Sequence, residues 1–268
     1  MNLKDIRLLT RQNLAQENIN ASFFQDSDIN TYINLGVKEA CTKGKVYLEH
    51  GGLLIQPSTL TYLLPWQTLS IKSLTRDDGT PIPMFDVTQK GMFYAFSTTT
   101  PSGYYLSSVA ESIATWQTNQ SYTPWLTSPS LTSYVLPPTA NGYFYECLNV
   151  GTSGPMTPTF NTVVGDFTTD NNITWGTREM VGGLWQLTLN VSPTYIVVPT
   201  LYDLWYQAMD YPLAQDYTSP RFPPELHRCL VSYATYKCAE MMRQKPVAVA
   251  YLTEFTNILG LSTPSVGS

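Results

Sequence analysis

The feature that most limits how this chain can fold is the change of apolar periodicity along it. Near both ends, apolar side chains recur every three or four residues, which is typical of α-helices that bury one face. Between the ends, apolar and polar residues alternate, and Gly, Pro and Asp recur as they do in antiparallel sheets. We therefore expect an α+β fold, in which a helical bundle packs with an antiparallel β meander.

Apolar spacing and capping residues predict four helices, over residues 2–18, 26–43, 223–244 and 247–259. The second begins at Asp26-Ser27-Asp28, whose side chains can accept hydrogen bonds from free amides. Prolines open the third helix, because proline suits a first turn, and Pro246 is expected to break it. Gly260 is expected to end the last helix.

Alternating residues predict strands at residues 60–64, 69–74, 92–96, 104–109, 184–189, 195–198 and 201–209. Asp77-Asp78-Gly79 predicts a tight turn between two of these strands. We expect an antiparallel meander, whose pattern is interrupted after residue 110 and resumes at Leu184.

The interruption, residues 111–182, is rich in Thr, Ser, Asn, Pro and Gly, and no Lys or Arg occurs between Lys90 and Arg178. We interpret it as an all-β, sandwich-like module inserted into a core formed by residues 1–110 and 183–268. Two interpretations of its aromatic residues are open: a platform that stacks on sugar rings, or the module's own core, which we favour. The aromatic residues concerned are Trp116, Tyr122, Trp125, Tyr145 and Trp175.

The net charge of −5 argues against binding of nucleic acid through clustered Lys and Arg. Charged residues are sparse, whereas the chain has 18 Tyr and 6 Trp. Such a composition fits either a surface that another subunit covers or aromatic pairs within a sheet. The sequence lacks a signal-peptide pattern and a long apolar run, so we expect synthesis in a cytoplasm and no membrane partner.

The sequence offers little support for an enzyme, a metal site or a cofactor. His227 is expected on a helix surface and His50 in a loop, and there is no GxSxG sequence to supply a nucleophile. The Gly-rich residues 151–155 lack the Lys-Ser or Lys-Thr of a phosphate loop. The four cysteines lack metal-ligand spacing and are expected to be free thiols.

Acidic residues in the β region allow two weaker hypotheses. Glycoside hydrolysis could use a pair among Glu111, Glu146, Asp166 and Asp170, although that many acids are expected by chance. Calcium could bind at Asp166, Asp170, Asn171 and Asn172, but these lack regular ligand spacing and fit an Asx-rich turn better. We therefore predict no catalysis, no cofactor and no metal.

Several short motifs resemble, in order, those of tailed-bacteriophage head-to-tail adaptor proteins, also called head-completion or connector proteins. Residues 23–34 resemble the aromatic residue and the SDxEIxxWINxA sequence of the family's second helix, with Gly36 where alanine is common. Further stretches resemble the YxLP, DGxPL, GxPxxYY and LPxxxHxxLxxYA motifs, at residues 61–65, 78–82, 100–105 and 223–234. The resemblance covers roughly residues 1–110 and 184–260. Residues 111–182 are similar instead to an immunoglobulin-like module of phage virion proteins, mainly at 135–138, 141–147 and 151–154.

The resemblance implies a structural subunit of the virion neck, assembled in the bacterial host cytoplasm as a homo-oligomeric ring of about twelve copies. The helical part would bind the portal protein, and the β part would face a stopper, tail tube or nozzle protein. Genomic DNA would pass through the lumen without sequence-specific binding. The alternative is a carbohydrate-binding virion protein that uses the aromatic β module for host attachment.

Two contact regions follow as hypotheses from this resemblance. We expect the portal contact on the last helix and on residues 261–268, which would fold on binding. Its residues are Val247, Tyr251, Phe255, Leu259, Leu261, Pro264 and Val266. We expect the tail contact at a turn formed by Arg76, Asp77, Asp78 and Gly79.

Overall fold

A computed structural model of the chain describes residues 1–85, 101–108, 113–127, 133–179, 184–190 and 199–261. These residues form four α-helices and several antiparallel sheets, which confirms the predicted α+β class. The chain divides into two compact units. We call Met1–Leu48 with Gln207–Ser268 the helical unit, and Glu49–Tyr206 the β unit. Residues 111–182 fall within the β unit, and their assignment to a separate inserted module stays a prediction.

The helices of the helical unit are α1 (Leu3–Gln16), α2 (Asp26–Glu39), α3 (Arg228–Met241) and α4 (Lys245–Ile258). A π-helical turn, Ala40–Gly44, continues α2, and a 3₁₀ turn, Pro224–Leu226, precedes α3. The expectation that Pro246 breaks a helix is wrong. Pro246 lies in the first turn of α4, where no intrahelical bond needs its missing amide hydrogen.

Local hydrogen bonds explain where these helices begin and end. A capping box opens α1: the Asn2 side chain accepts from the Asp5 amide, and the Asp5 carboxylate accepts from the Asn2 amide. Three helices end with a residue of positive φ, at Asn18, Arg243 and Gly260. In each case the amide of the following residue donates a hydrogen bond to a carbonyl oxygen in the last turn of the helix, as in a Schellman motif.

Helix α3 is the centre of the helical unit, because most of its residues between Cys229 and Ala239 are buried and it contacts the other three helices. Gly36 of α2 allows close approach, since a Cβ there would lie 3.1 Å from the Tyr233 ring. The prediction that His227 lies on a helix surface is wrong. Only 3% of its surface is exposed, and its Nε2 lies 2.9 Å from the Phe222 carbonyl oxygen.

The β unit contains two sheets that hold most of the predicted meander. One has the order β1-β13-β3-β4, with strands Leu48–Ile55, Thr200–Ala208, Thr68–Thr75 and Pro81–Ile82. The other has the order β2-β12-β5, with strands Thr61–Leu63, Trp185–Leu189 and Tyr104–Ser108. Leu187 pairs with Tyr62 on one side and with Leu106 on the other, so the chain returns to this sheet with β12. The strands expected at 92–96 and 195–198 lie outside the described residues.

Shorter strands form between β5 and β12. A four-stranded sheet has the order β10-β11-β8-β7, with strands Phe167–Asp170, Ile173–Arg178, Phe144–Cys147 and Tyr134–Val135. A two-stranded ribbon joins β6 (Ser121–Tyr122) to β9 (Gly151–Thr152). Most residues of β8 and β11 are buried, which places this sheet over an apolar core.

Candidate interaction surfaces

The five aromatic residues considered as a sugar platform are buried. Trp116, Tyr122, Tyr145 and Trp175 belong to one apolar cluster under the β10-β11-β8-β7 sheet, and Tyr122 packs edge-on against Trp175 at 4.9 Å. Trp125 is also buried, and its Nε1 donates a hydrogen bond to the Leu63 carbonyl at 2.7 Å. A sugar ring stacks on an exposed aromatic face, so this burial counts against a platform at these positions.

Asp170 is a polar hub inside that aromatic cluster. Its Oδ2 accepts hydrogen bonds from the indole Nε1 atoms of Trp116 at 2.8 Å and Trp175 at 3.0 Å. Its Oδ1 accepts from the Gly154 amide at 2.8 Å. Only 4% of the Asp170 surface is exposed. A buried carboxylate that satisfies three donors has a structural role. The sequence alone had suggested Asp170 only as a possible catalytic residue or a possible calcium ligand.

The other acidic candidates also have partners of their own. Buried Arg178 and half-buried Glu146 form an ion pair at 2.8 Å, and the guanidinium lies 5.6 Å from the centre of the Trp66 ring. Burial raises the pKa of Glu146, although the Arg178 charge opposes this effect. Asp166 accepts from Asn161, and Glu111 lies outside the described residues. Within the described part of the chain, no group of three His, Cys, Asp or Glu could hold a metal ion.

The turn proposed as a tail contact is well ordered by its own hydrogen bonds. The Arg76 amide donates to the Thr80 carbonyl, and Gly79 adopts a φ of +81°. Asp78 Oδ1 accepts from the Thr80 amide, and Asp78 Oδ2 lies 2.7 Å from an Arg76 nitrogen. These hydrogen bonds lower the pKa of Asp78. The result is a rigid hairpin that presents Asp77 to solvent, joining β3 and β4 as predicted.

The residues proposed as a portal contact differ in exposure. Val247, Tyr251, Leu259 and Leu261 are half-buried, whereas Phe255 is buried against Tyr233, with ring centres 4.9 Å apart. Phe255 therefore serves the packing of α3 on α4. Pro264 and Val266 lie outside the described residues.

A groove of about 500 Å³ lies beside α4 in the helical unit. Its lining combines aromatic and aliphatic side chains with charged ones: Glu39, Lys43, Tyr233, Tyr236, Lys237, Leu252, Phe255, Thr256 and Leu261. Burial raises the pKa of Tyr233 to about 12, so its hydroxyl stays neutral at physiological pH. The lining mixes apolar and polar side chains of both charges, which suits a protein segment better than a highly charged ligand.

The conspicuous residues of the adaptor-like motif in α2 have structural roles. Asp28 caps the helix by accepting from the Gln25 amide. Asn34 holds the loop of residues 209–223, which precedes α3. Its side chain accepts a hydrogen bond from the Leu213 amide at 2.7 Å and donates one to the Leu213 carbonyl at 3.3 Å. Arg7 fastens the same loop through Asp216 at 2.9 Å. Such side-chain clamps hold a segment that lacks regular secondary structure.

His50, expected in a loop, lies in strand β1. Its Nε2 lies 2.6 Å from Asp203 Oδ1, and its ring stacks on Trp205 with a centroid distance of 4.4 Å. Both residues of the pair are exposed on the sheet surface. The sequence contained one signal for this cluster: residues alternate between faces along β13, which places Asp203 and Trp205 on the same exposed face.

No helix in the described parts of the chain is long and apolar enough to cross a membrane. A search of curated proteins found no match. The sequence model of the family described as SU10 adaptor protein matches residues 1–265. This match includes residues 111–182, which the resemblance of short motifs had left out. The chain therefore belongs to the SU10 adaptor protein family, a family of structural bacteriophage adaptor proteins.

Proposed function

We propose that the chain is the repeating subunit of a ring of about twelve copies in the virion neck, which joins the portal to the tail. The observation that carries this proposal is the family match over nearly the whole chain. Assembly would take place in the host cytoplasm, and genomic DNA would pass through the lumen of the ring without sequence-specific binding. The proposal assigns the protein a structural role and no catalysis.

The uneven distribution of charge supports a lumen through which DNA slides. The helical unit contains eleven Lys or Arg and ten Asp or Glu, whereas the β unit contains four and ten, which gives it a net charge of −6. In a ring of about twelve copies the β units would carry roughly −70. Such a surface repels the phosphate backbone and offers it no fixed binding site.

For the portal side, we propose that a partly apolar portal segment enters the groove beside α4. Residues 262–268 follow Leu261, which lines the groove, and they would fold against the portal on binding. A truncation that removes residues 262–268 keeps Leu261, whose amide closes the end of α4 by donating to the Thr256 carbonyl. We expect this truncation to fold normally and to bind the portal weakly in a pull-down assay.

A second variant tests the groove itself. Leu252→Asp places a charge in the groove lining and should prevent portal binding. Leu8→Asp makes the same change at an exposed leucine of α1 and serves as the control. Normal portal binding by both the truncation and Leu252→Asp would contradict this location of the contact.

For the tail side, we propose the turn at Arg76 to Gly79. Asp77→Lys reverses a charge that the turn does not use for its own hydrogen bonds, whereas Asp78 orders the turn. Glu179→Lys makes the same change at another exposed position of the β unit. Tail joining should fail with Asp77→Lys and proceed with Glu179→Lys. Equal tail joining by the two variants would contradict the assignment.

The ring itself is tested by negative-stain imaging of the purified full-length protein mixed with its portal. We expect rings with a central hole, stacked on one end of the portal. Particles without a hole, or portals without an added ring, would refute the proposed function. Because the images show the ring directly, the result does not depend on which residues make the contacts.

A further inference from the structure

The exposed face of strand β13 carries an unusual combination of apolar and acidic side chains. Tyr202, Leu204 and Tyr206 point into the core, so the alternate residues Leu201, Asp203 and Trp205 face outward. Leu201 is 59% exposed and Trp205 is 38% exposed. Together with His50, which stacks on Trp205, these three residues form what we call the β13 surface. A large exposed aromatic residue beside an exposed leucine is typical of a site that another protein covers.

Strand β1 is adapted to this arrangement. A Cβ at Gly52 would lie 2.5 Å from Leu201 Cγ, so only glycine lets the leucine lie flat over the neighbouring strand. The pair of His50 and Asp203 fixes the ring that stacks on Trp205. The β13 surface is therefore held in place before any partner binds, which reduces the entropy lost on binding.

The turn between α3 and α4 carries the complementary combination of apolar and basic side chains. Met241 is 62% exposed and Val249 is 42% exposed. Arg243 and Lys245 are exposed, and neither side chain forms a hydrogen bond or ion pair with the described residues. We call Met241, Arg243, Lys245 and Val249 the α3–α4 turn surface.

The backbone of Arg243 is a further sign that this side chain is used. Arg243 has a φ of +57°, at the position of the Schellman motif where glycine is preferred. A residue with a side chain costs about 1 kcal/mol in this conformation. The chain thus keeps a cation, unpaired among the described residues, at a position where glycine would be more stable, and this fits a role of the side chain in binding.

We propose that the α3–α4 turn surface of one copy docks on the β13 surface of the neighbouring copy. Arg243 would pair with Asp203 and lie against the face of Trp205, while Met241 and Val249 would cover Leu201. The carboxylate of Asp203 has acceptor sites left beside the one that His50 occupies. The acidic β unit and the basic turn surface make the contact complementary in charge as well as in polarity.

This contact joins two different surfaces, so it is heterologous and propagates from copy to copy, as a closed ring requires. The inference rests on the proposed ring and adds which surfaces form it. It further predicts that the β13 surfaces of two copies do not bind each other, and that the α3–α4 turn surfaces of two copies do not either.

Site-specific cross-linking of the full-length protein tests the docking. One variant carries Asp203→Cys and the other Arg243→Cys, and the two are mixed under mild oxidation, alone and with the portal. The four native cysteines are buried, and burial raises the pKa of Cys41, Cys229 and Cys238 to about 12 and that of Cys147 to about 11. They therefore contribute little background, because the thiolate is the reactive form.

We expect a disulfide-linked dimer from the mixture and little from either variant alone. The variant with both substitutions should give a ladder of multimers. If negative-stain images show rings but the mixture does not cross-link, the docking proposal is overturned and the ring stands. Cross-linking without rings would support the docking and count against the proposed function. Equal dimer formation by one variant alone would also overturn the heterologous contact.

Charge reversal gives an independent measurement. Arg243→Asp or Asp203→Arg alone should weaken association by roughly tenfold in sedimentation experiments, and the two together should restore most of it. Lys4→Asp is the matched control, because it makes the same charge change at an exposed position of the helical unit. Association that is unchanged by either single reversal, or a double variant as weak as the singles, would overturn the proposal.

Discussion

Replacement of Asp170 by alanine should strongly destabilise the β unit. The substitution removes the acceptor of three hydrogen bonds and leaves the two indole N–H groups and the Gly154 amide without this partner in a buried core. A buried donor that loses its acceptor costs about 1–3 kcal/mol, so three donors give roughly 3–6 kcal/mol when partial rearrangement is allowed for. This amount is a large part of the stability of a typical domain.

Urea unfolding followed by tryptophan fluorescence measures this effect selectively. All six tryptophans, including two partners of Asp170, lie within Glu49–Tyr206, so the signal reports on the β unit alone. Asp166→Ala is the matched control, because its side chain accepts one hydrogen bond, from Asn161 at 3.2 Å, and it should cost less than about 1 kcal/mol.

A double-mutant cycle then separates the hydrogen bond from general packing. If Trp116→Phe has already removed one donor, Asp170→Ala should cost less than it does in the wild-type protein. A loss of under about 1 kcal/mol for Asp170→Ala, or equal costs in both backgrounds, would refute the idea that this carboxylate organises the core.

Three further predictions follow from individual contacts. Asn34→Ala removes both side-chain bonds to Leu213 and should cost about 1–3 kcal/mol; it should also speed tryptic cleavage at Arg221, and an unchanged cleavage rate would contradict the clamp. Arg178→Met leaves the half-buried carboxylate of Glu146 without its ion-pair partner and should cost about 3 kcal/mol at pH 7. Burial raises the pKa of Glu146 and the Arg178 charge opposes this, so in the variant the pKa of Glu146 should rise further; the loss should shrink as the pH falls through that raised pKa, because the protonated carboxyl needs no cation, and a loss independent of pH would contradict this account. Arg243→Gly relieves the positive φ and should stabilise the helical unit by about 1 kcal/mol in thermal unfolding, while weakening association between copies; reduced stability would show that the Arg243 conformation carries no strain.

The parts of the fold that sequence predicted well depend on local signals. Apolar spacing and caps such as Asp28 are set within one or two turns, and the sequence predicted each of the four α-helices seen in the described residues. The hairpin at Asp78 and Gly79 was found because few residue types adopt its backbone angles. Pro246 shows the limit of local reasoning, since proline can both end a helix and open one.

The errors concern residues whose environment is set by distant parts of the chain. His227 is buried because its ring meets the Phe222 carbonyl and the Met1 nitrogen, which lies 226 residues away in sequence. Asp170 meets Trp116 across 54 residues. His50 precedes two glycines and was expected in a loop, but both glycines lie in strand β1. Gly52 leaves room for the Leu201 side chain of the neighbouring strand β13. A single sequence carries no signal for such pairings, because spacing along the chain does not report them.

The shortage of basic residues in the β unit explains both its interior and its surface. With four Lys or Arg for ten acidic residues, most carboxylates cannot form ion pairs within the unit. Asp170 is therefore satisfied by indole and amide donors, and the one buried guanidinium in the described residues, that of Arg178, neutralises Glu146. Carboxylates such as Asp77 and Asp203 remain at the surface, where their charge costs little because water solvates it. The cations that could pair with them lie in the helical unit, including Arg243 and Lys245, so pairing between copies would supply what one copy of the β unit lacks.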